Sequence, residues 1–145
     1  MYLKVEGLDD LIKISEKLAS AKKIEDTNKA IFDECNELIG PVLKRNTPVS
    51  KDNRKSGIKG NRPAGDLRDN IPTKVVRKQA GYYYMLVGWE KISKKTPWFY
   101  AKYLEWGTSK INPVAMFGKT QEELQNQFEQ IGLKHYEKLV KELEK

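Results

Sequence analysis

Few residues of this chain could do chemistry, and their spacing brings none of them together. His135 is the single histidine and Cys35 the single cysteine. Nucleophilic catalysis and metal binding need such groups in convergent sets, and one Cys with one His cannot build a typical structural zinc site. His135 falls in the apolar stripe of the last helix-like segment, with no Asp or Cys placed to pair with it in sequence. It reads as a core or rim histidine. Cys35 falls on another apolar helical face and reads as a small core residue. Glu122 and Glu123 sit in the first turn of a helix, where dipole and capping account for both. Asp66 and Asp69 flank Arg68, as a local salt bridge would require. Gly57-Ile58-Lys59-Gly60 is too isolated to be a phosphate loop, and no glycine-rich loop follows a strand. The chain therefore reads as non-enzymatic, with no catalytic, cofactor-binding or metal-binding residues and no cofactor.

What stands in place of a catalytic set is an aromatic segment, with Trp98, Phe99, Tyr100, Tyr103 and Trp106 in nine residues. Thr96 can cap a helix here, Pro97 suits its first position, and Gly107 can end it. The expected helix spans 97–106. It is apolar almost all the way round, so it is either buried on most sides or half buried and half used for association. Positions 99, 103 and 106 share one face, and 98 and 102 another. With Lys102 solvated, Trp98 becomes the exposed aromatic and Trp106 a core residue. Trp98, Tyr100 and Tyr83 are the candidate protein-interface residues, because interfaces favour aromatics with a polar atom.

The elements that position this segment follow from periodicity. The first residues, 1–6, alternate weakly as a short strand. Leu8, Leu11, Ile12, Ser15 and Leu18 make the stripe of a first helix that Ala19-Ser20-Ala21 ends or bends. A second helix begins near Asp26 or Thr27, with an apolar face of Ala30, Ile31, Cys35, Leu38, Ile39 and Val42. Pro41 should kink it, and it should end before Pro48. Residues 71–80 and 82–89 read as strands of an antiparallel hairpin turning at Gln79-Ala80-Gly81. The last helix runs from about Thr120 to Glu144, opened by a Thr120/Glu123 capping box. Its stripe is Leu124, Phe128, Ile131, His135, Leu139 and Leu143. The expected fold is α+β, an antiparallel β-sheet packed against N-terminal helices and a long C-terminal helix, in a single domain over 1–145.

Charge is unevenly spread. The formal net charge is +7, and residues 44–102 hold fifteen Lys/Arg against four acids. Such a basic middle suits a polyanion or an acidic protein surface, and equally the solvation of a loop and hairpin. Residues 49–66 form the one clear loop, flexible at about 50–65, with little to bury. Its Lys51, Arg54, Lys55, Lys59 and Arg62 are candidates to face DNA or a partner. Mean hydropathy is −0.70, and no apolar run is long enough to span a membrane. A single cysteine and an N-terminus without an apolar signal region fit synthesis in a reducing cytoplasm.

Three ordered motifs carry a resemblance. The first is Val5-Glu6-Gly7-Leu8-Asp9, leading into a longer helix. The second is Pro48-Val49-Ser50 followed by Gly65-Asp66-Leu67-Arg68-Asp69-Asn70-Ile71. The third is Tyr100-Ala101-Lys102-Tyr103-Leu104-Glu105-Trp106-Gly107-Thr108. A Pro-containing step at Asn112-Pro113 and a C-terminal helix follow. In this order they resemble the tail-completion, or head–tail joining, proteins of long-tailed double-stranded DNA phages and prophages. The chain departs from that pattern at Lys51 to Ala64, a basic insertion between the second motif's two halves. The resemblance implies a small α+β protein in which Gly65, Leu67, Arg68, Ile71, Tyr100, Ala101, Glu105, Gly107 and Thr108 are structural motif residues. It implies a homo-oligomeric ring around the DNA channel, contacting neighbouring head–tail connector and tail-tube proteins, with at most weak sequence-independent contact with DNA. It places the protein in the host bacterial cytoplasm during assembly and then in the virion. The alternative from the residues alone is a small basic nucleic-acid-binding module using the 44–102 region, whose binding would be steeply salt-dependent.

Overall fold

The computed structural model describes residues 20–50, 63–73, 75–79, 82–89 and 98–144, together with Lys13. The expected first strand, the Leu8–Leu18 helix, the Thr96/Pro97 start signal and the basic loop lie outside the described residues. The described elements are α1 (Ala21–Asn46), α2 (Asp66–Asp69), β1 (Val75–Gln79), β2 (Tyr82–Leu86), α3 (Ala101–Trp106) and α4 (Met116–Leu143).

Two long antiparallel helices form the frame. α1 has 26 residues and α4 has 28, so each runs about 40 Å at 1.5 Å per residue. Their direction is fixed by contacts along their lengths. Asn28 meets Tyr136, Glu34 meets His135, and Asn46 meets Thr120. On α1 the buried residues are Ile31, Cys35, Ile39 and Leu43, a strict four-residue repeat. On α4, Met116, Thr120, Leu124 and Phe128 repeat at the same interval before Ile131, Tyr136 and Leu139 continue the stripe. A four-residue step advances 40° past a full turn, so each stripe winds slowly around its helix. That slow winding is why Leu43 is fully buried where Val42 was the expected core residue. It is also why Tyr136, next to the expected His135, fills the core.

Both long helices start earlier than the sequence signals placed them. Ser20, not Asp26 or Thr27, caps α1, its side chain accepting from Lys23 N at 3.4 Å. Thr27 instead donates within the helix to Lys23 O. The helix continues through Pro41 and ends at Asn46, with Thr47 extended ahead of Pro48 as expected. Thr120 does not open α4. It lies fully buried one turn inside, its hydroxyl donating to Met116 O at 2.7 Å. Glu123 leaves the capping box and pairs with Arg45 across the helix interface.

β content among the described residues is one antiparallel pair, smaller than the expected sheet. Val75 pairs with Leu86, and the register runs to Gln79 with Tyr82, so only residues 80 and 81 connect the strands. The described fold is thus mainly helical with a short hairpin. A two-stranded ribbon is weakly stable alone and needs a packed face. Met85 and Val87 provide it, joining Leu67, Ile71 and Ala101 in the core built by α1 and α4. Gly88 N donates to Pro72 O at 2.8 Å, tying the end of the hairpin to the segment that leads into it. Among the described residues, no helix is long and apolar enough to cross a membrane.

Candidate assembly surface

The third motif forms a joint between two helices. α3 is short, and its inner face is Ala101, fully buried, and Glu105, 9% exposed. The buried Glu105 carboxylate points at the start of α4, where backbone N–H groups have no partner inside the helix. Its Oε2 accepts from Phe117 N at 2.9 Å and its Oε1 from Gly118 N at 3.0 Å. These are the second and third helical positions, the ones an N-cap side chain ordinarily serves. Ala115, at the cap position itself, has no side chain able to do so and sits in the left-handed region at φ 54°. Glu105 therefore caps α4 from another helix, and its negative charge also suits the positive end of the helix dipole.

The chain between the two helices is held from both sides. Leu104 O accepts from Val114 N at 2.7 Å, bringing the chain back beside the end of α3. Thr108 and Ile111 form a β-bridge, and the Thr108 hydroxyl accepts from Lys110 N and Ile111 N. Gly107 makes the reversal, at φ 73° and ψ −176°. A Cβ there would lie 2.7 Å from Ile111 O and 2.9 Å from Pro113 N. Ala115 has room for relief of the opposite kind. Left-handed geometry costs a non-glycine residue about 1–2 kcal/mol, partly offset on mutation by the greater freedom glycine gives the unfolded chain. Ala115→Gly is expected to stabilise the protein by about 0.5–1 kcal/mol, read as a higher denaturant midpoint with unchanged slope.

The second motif is also structural. Gly65 takes φ 83° and Leu67 and Ile71 enter the core. Arg68 makes a two-point pair with Asp69, at 2.9 and 3.0 Å, as the local spacing suggested. Asp66 does something unforeseen. Its Oδ2 accepts from the Trp98 indole N–H at 3.0 Å. Trp98 also stacks on Trp89, with centroids 5.7 Å apart and planes at 17°.

These contacts reverse the expected faces of the aromatic segment. Trp98 is half-buried, packed against the core and hydrogen-bonded. Trp106 is 66% exposed. The reason is the helix start. α3 begins at Ala101, and residues 98–100 form a turn, so the helical phase assumed for Trp98 does not apply. Trp106, the last helical residue, projects past the core that Ala101 and Glu105 face. Tyr100 is half-buried against the core and meets Phe99 edge to face. Tyr83 is also half-buried on the hairpin. Neither matches Trp106 in exposure.

Trp106 has apolar company. Ile111 is 49% and Val49 42% exposed. Val49 follows the end of α1, and Trp106 and Ile111 precede the start of α4. Asn46 and Glu105 each hydrogen-bond to the first turns of α4, so all three residues lie at the same end of the helix pair. An end of the fold that carries several large exposed apolar side chains is a candidate association surface.

The other candidates have local explanations. Burial pushes the Cys35 thiol up to about 11, far from a reactive thiolate. His135 is at the rim of the α1–α4 interface, its Nε2 2.7 Å from Glu34 Oε2. Lys134 donates to the other Glu34 oxygen at 2.6 Å. Lys134 first, then His135, hold Glu34 below its usual carboxylate range. This pairing spans a hundred residues, and no local sequence signal announces it. Among the described basic residues of the 44–102 region, Arg45 pairs with Glu123 and Arg68 with Asp69. Lys51, Arg54, Lys55, Lys59 and Arg62 lie outside the described residues. Compared with protein-family models, curated proteins and solved structures, the chain matches none.

Proposed function

We propose that this chain is a structural protein of virion assembly at the head–tail joint of a long-tailed double-stranded DNA phage or prophage. It acts by association into a homo-oligomeric ring and with neighbouring connector and tail-tube proteins, in the host bacterial cytoplasm and then in the particle. The reading includes the full α+β arrangement, with the hairpin beside N-terminal helices as well as the two long ones. It assigns no catalytic step and no cofactor. The ordered motifs support it, and one observation carries it. Glu105, Gly107 and Thr108 hold a joint whose most exposed large side chain is Trp106, with Ile111 exposed beside it in the chain. A large aromatic held rigidly in solvent loses little conformational freedom when a partner covers it, as interface anchors do. Of the basic residues that the nucleic-acid alternative would use, Arg45 and Arg68 are among those described, and both are engaged by carboxylates of the same chain.

The test compares two tryptophans. Trp106→Ala is expected to melt within about 2 °C of wild type, as exposed substitutions do. It should fail to complement a phage lacking the gene. Trp98→Ala should melt clearly lower, because it loses the Trp89 stack and the Asp66 hydrogen bond. Full complementation by a stable Trp106→Ala, Ile111→Ser double variant would falsify the assembly reading of this surface.

A further inference from the structure

We infer that the Trp106 tip of one molecule docks into the cleft between α1 and α4 of a second copy. This rests on the assembly reading above and names the partner surface. The cleft has a volume of about 400 Å³ and is lined by Glu34, Glu37, Leu38, Gln127, Gln130, Ile131 and Lys134. Its floor is apolar, with Ile131 buried and Leu38 half-buried. Around it stand the Glu34 and Glu37 carboxylates, the Gln127 and Gln130 amides and the Lys134 ammonium, which Glu34 neutralises, so the lining keeps one net negative charge at Glu37. The tip is the chemical complement: the Trp106 indole and the Ile111 side chain, with the exposed Lys110 ammonium beside them. An indole entering an apolar slot needs an acceptor for its N–H, and Gln127 and Gln130 carry side-chain carbonyls there. Glu34 is already engaged by Lys134 and His135. Glu37, exposed on the rim, is therefore the carboxylate for Lys110.

One molecule cannot make this contact with itself. The tip sits at the end of the helix pair near Asn46 and Thr120. The cleft lies beside residues 34–38 and 127–134, about 14 Å along α1 from that end. Two different patches of one chain that fit each other make a heterologous contact, which propagates from copy to copy into a ring or a filament. Charge complementarity with the cleft, and the presence of both halves on every copy, favour a second copy as the occupant.

The experiment uses the full-length chain. Sedimentation over a range of concentrations is expected to show self-association in wild type. Glu37→Lys and Lys110→Glu should each weaken it about ten-fold or more by placing like charges together, and the double variant should regain most of the loss. In a Cys35→Ser background, protein carrying Ile111→Cys mixed with protein carrying Gln130→Cys should form a disulfide-linked heterodimer under mild oxidation. Mixing Trp106→Ala with Glu37→Lys should give dimers but nothing larger, since only one good tip and one good cleft remain. A chain that stays monomeric and uncross-linked overturns the inference. So does association that ignores the charge swap, or a disulfide from Gln130→Cys to Ile12→Cys within one molecule, which would make residues 8–18 the occupant. If Trp106→Ala associates normally yet fails to complement, the partner is a different protein, and the assembly reading survives while the second-copy contact does not.

Discussion

Glu105→Ala is expected to destabilise the protein by about 3–6 kcal/mol, counting two hydrogen bonds to a charged acceptor at about 1.5–3 kcal/mol each. The Phe117 N–H that Glu105 serves is buried, so water cannot simply replace the lost acceptor. The dipole term disappears with the charge. A domain of this size typically has about 5–15 kcal/mol of stability, so a measurable unfolded fraction is expected at 37 °C. The melting temperature should fall by roughly 12–24 °C at about 4 °C per kcal/mol. Glu105→Gln separates shape from charge. It keeps one carbonyl oxygen for one N–H but turns an NH2 toward the other, so its loss should lie between wild type and Ala. An alanine variant that melts within 2 °C of wild type would show that α4 finds its N-terminal partners elsewhere.

Gly107→Ala should have an effect of similar size by a different route. The φ of 73° with ψ of −176° lies in backbone territory that only glycine occupies readily. The atoms a methyl group would strike are Ile111 O at 2.7 Å and the Pro113 ring and nitrogen at 2.9 Å. These are backbone or ring atoms, and moving them breaks the Thr108–Ile111 bridge. A loss of about 3 kcal/mol or more is expected, at the upper end of local backbone strain. Gly65→Ala is the internal comparison. Its φ of 83° is also left-handed, but the closest atom is an Arg68 guanidinium nitrogen at 2.9 Å, the far end of a flexible side chain. That variant should lose only about 1–2 kcal/mol, the ordinary cost of left-handed geometry. Paired denaturant titrations read the order directly. Equal losses at the two glycines would show that the clash with Ile111 and Pro113 is relieved without cost.

Local signals carried much of the helical frame. The apolar faces of the two long helices were legible from periodicity, because a helix that buries one side must repeat every three or four residues. The stop at Pro48, the antiparallel pairing of the two strands and the burial of Cys35 follow from equally local chemistry. Leu67, Ile71 and Ala101, singled out as structural residues through the resemblance, are buried in the core.

Other features depended on residues far apart in the chain. α4 starts four residues before its capping box because the cap comes from Glu105 on a different helix, and no pattern within α4 encodes that. α1 starts early for a local reason instead: Ser20, not Asp26 or Thr27, supplies the cap, three residues from the N–H it serves. Trp98 turned inward because Asp66, 32 residues earlier, accepts its N–H and Trp89 offers a flat face. Trp106 turned outward because the face of α3 that meets the core is that of Ala101 and Glu105. By itself the sequence determined which residues are apolar, how often they recur and where proline and glycine interrupt them, since these act through the backbone within one or two turns. Only the tertiary structure decided which aromatic stays in solvent, which carboxylate caps which helix and which end of the helix pair gathers Trp106, Ile111 and Val49, because those outcomes depend on partners that the chain brings together from tens of residues away.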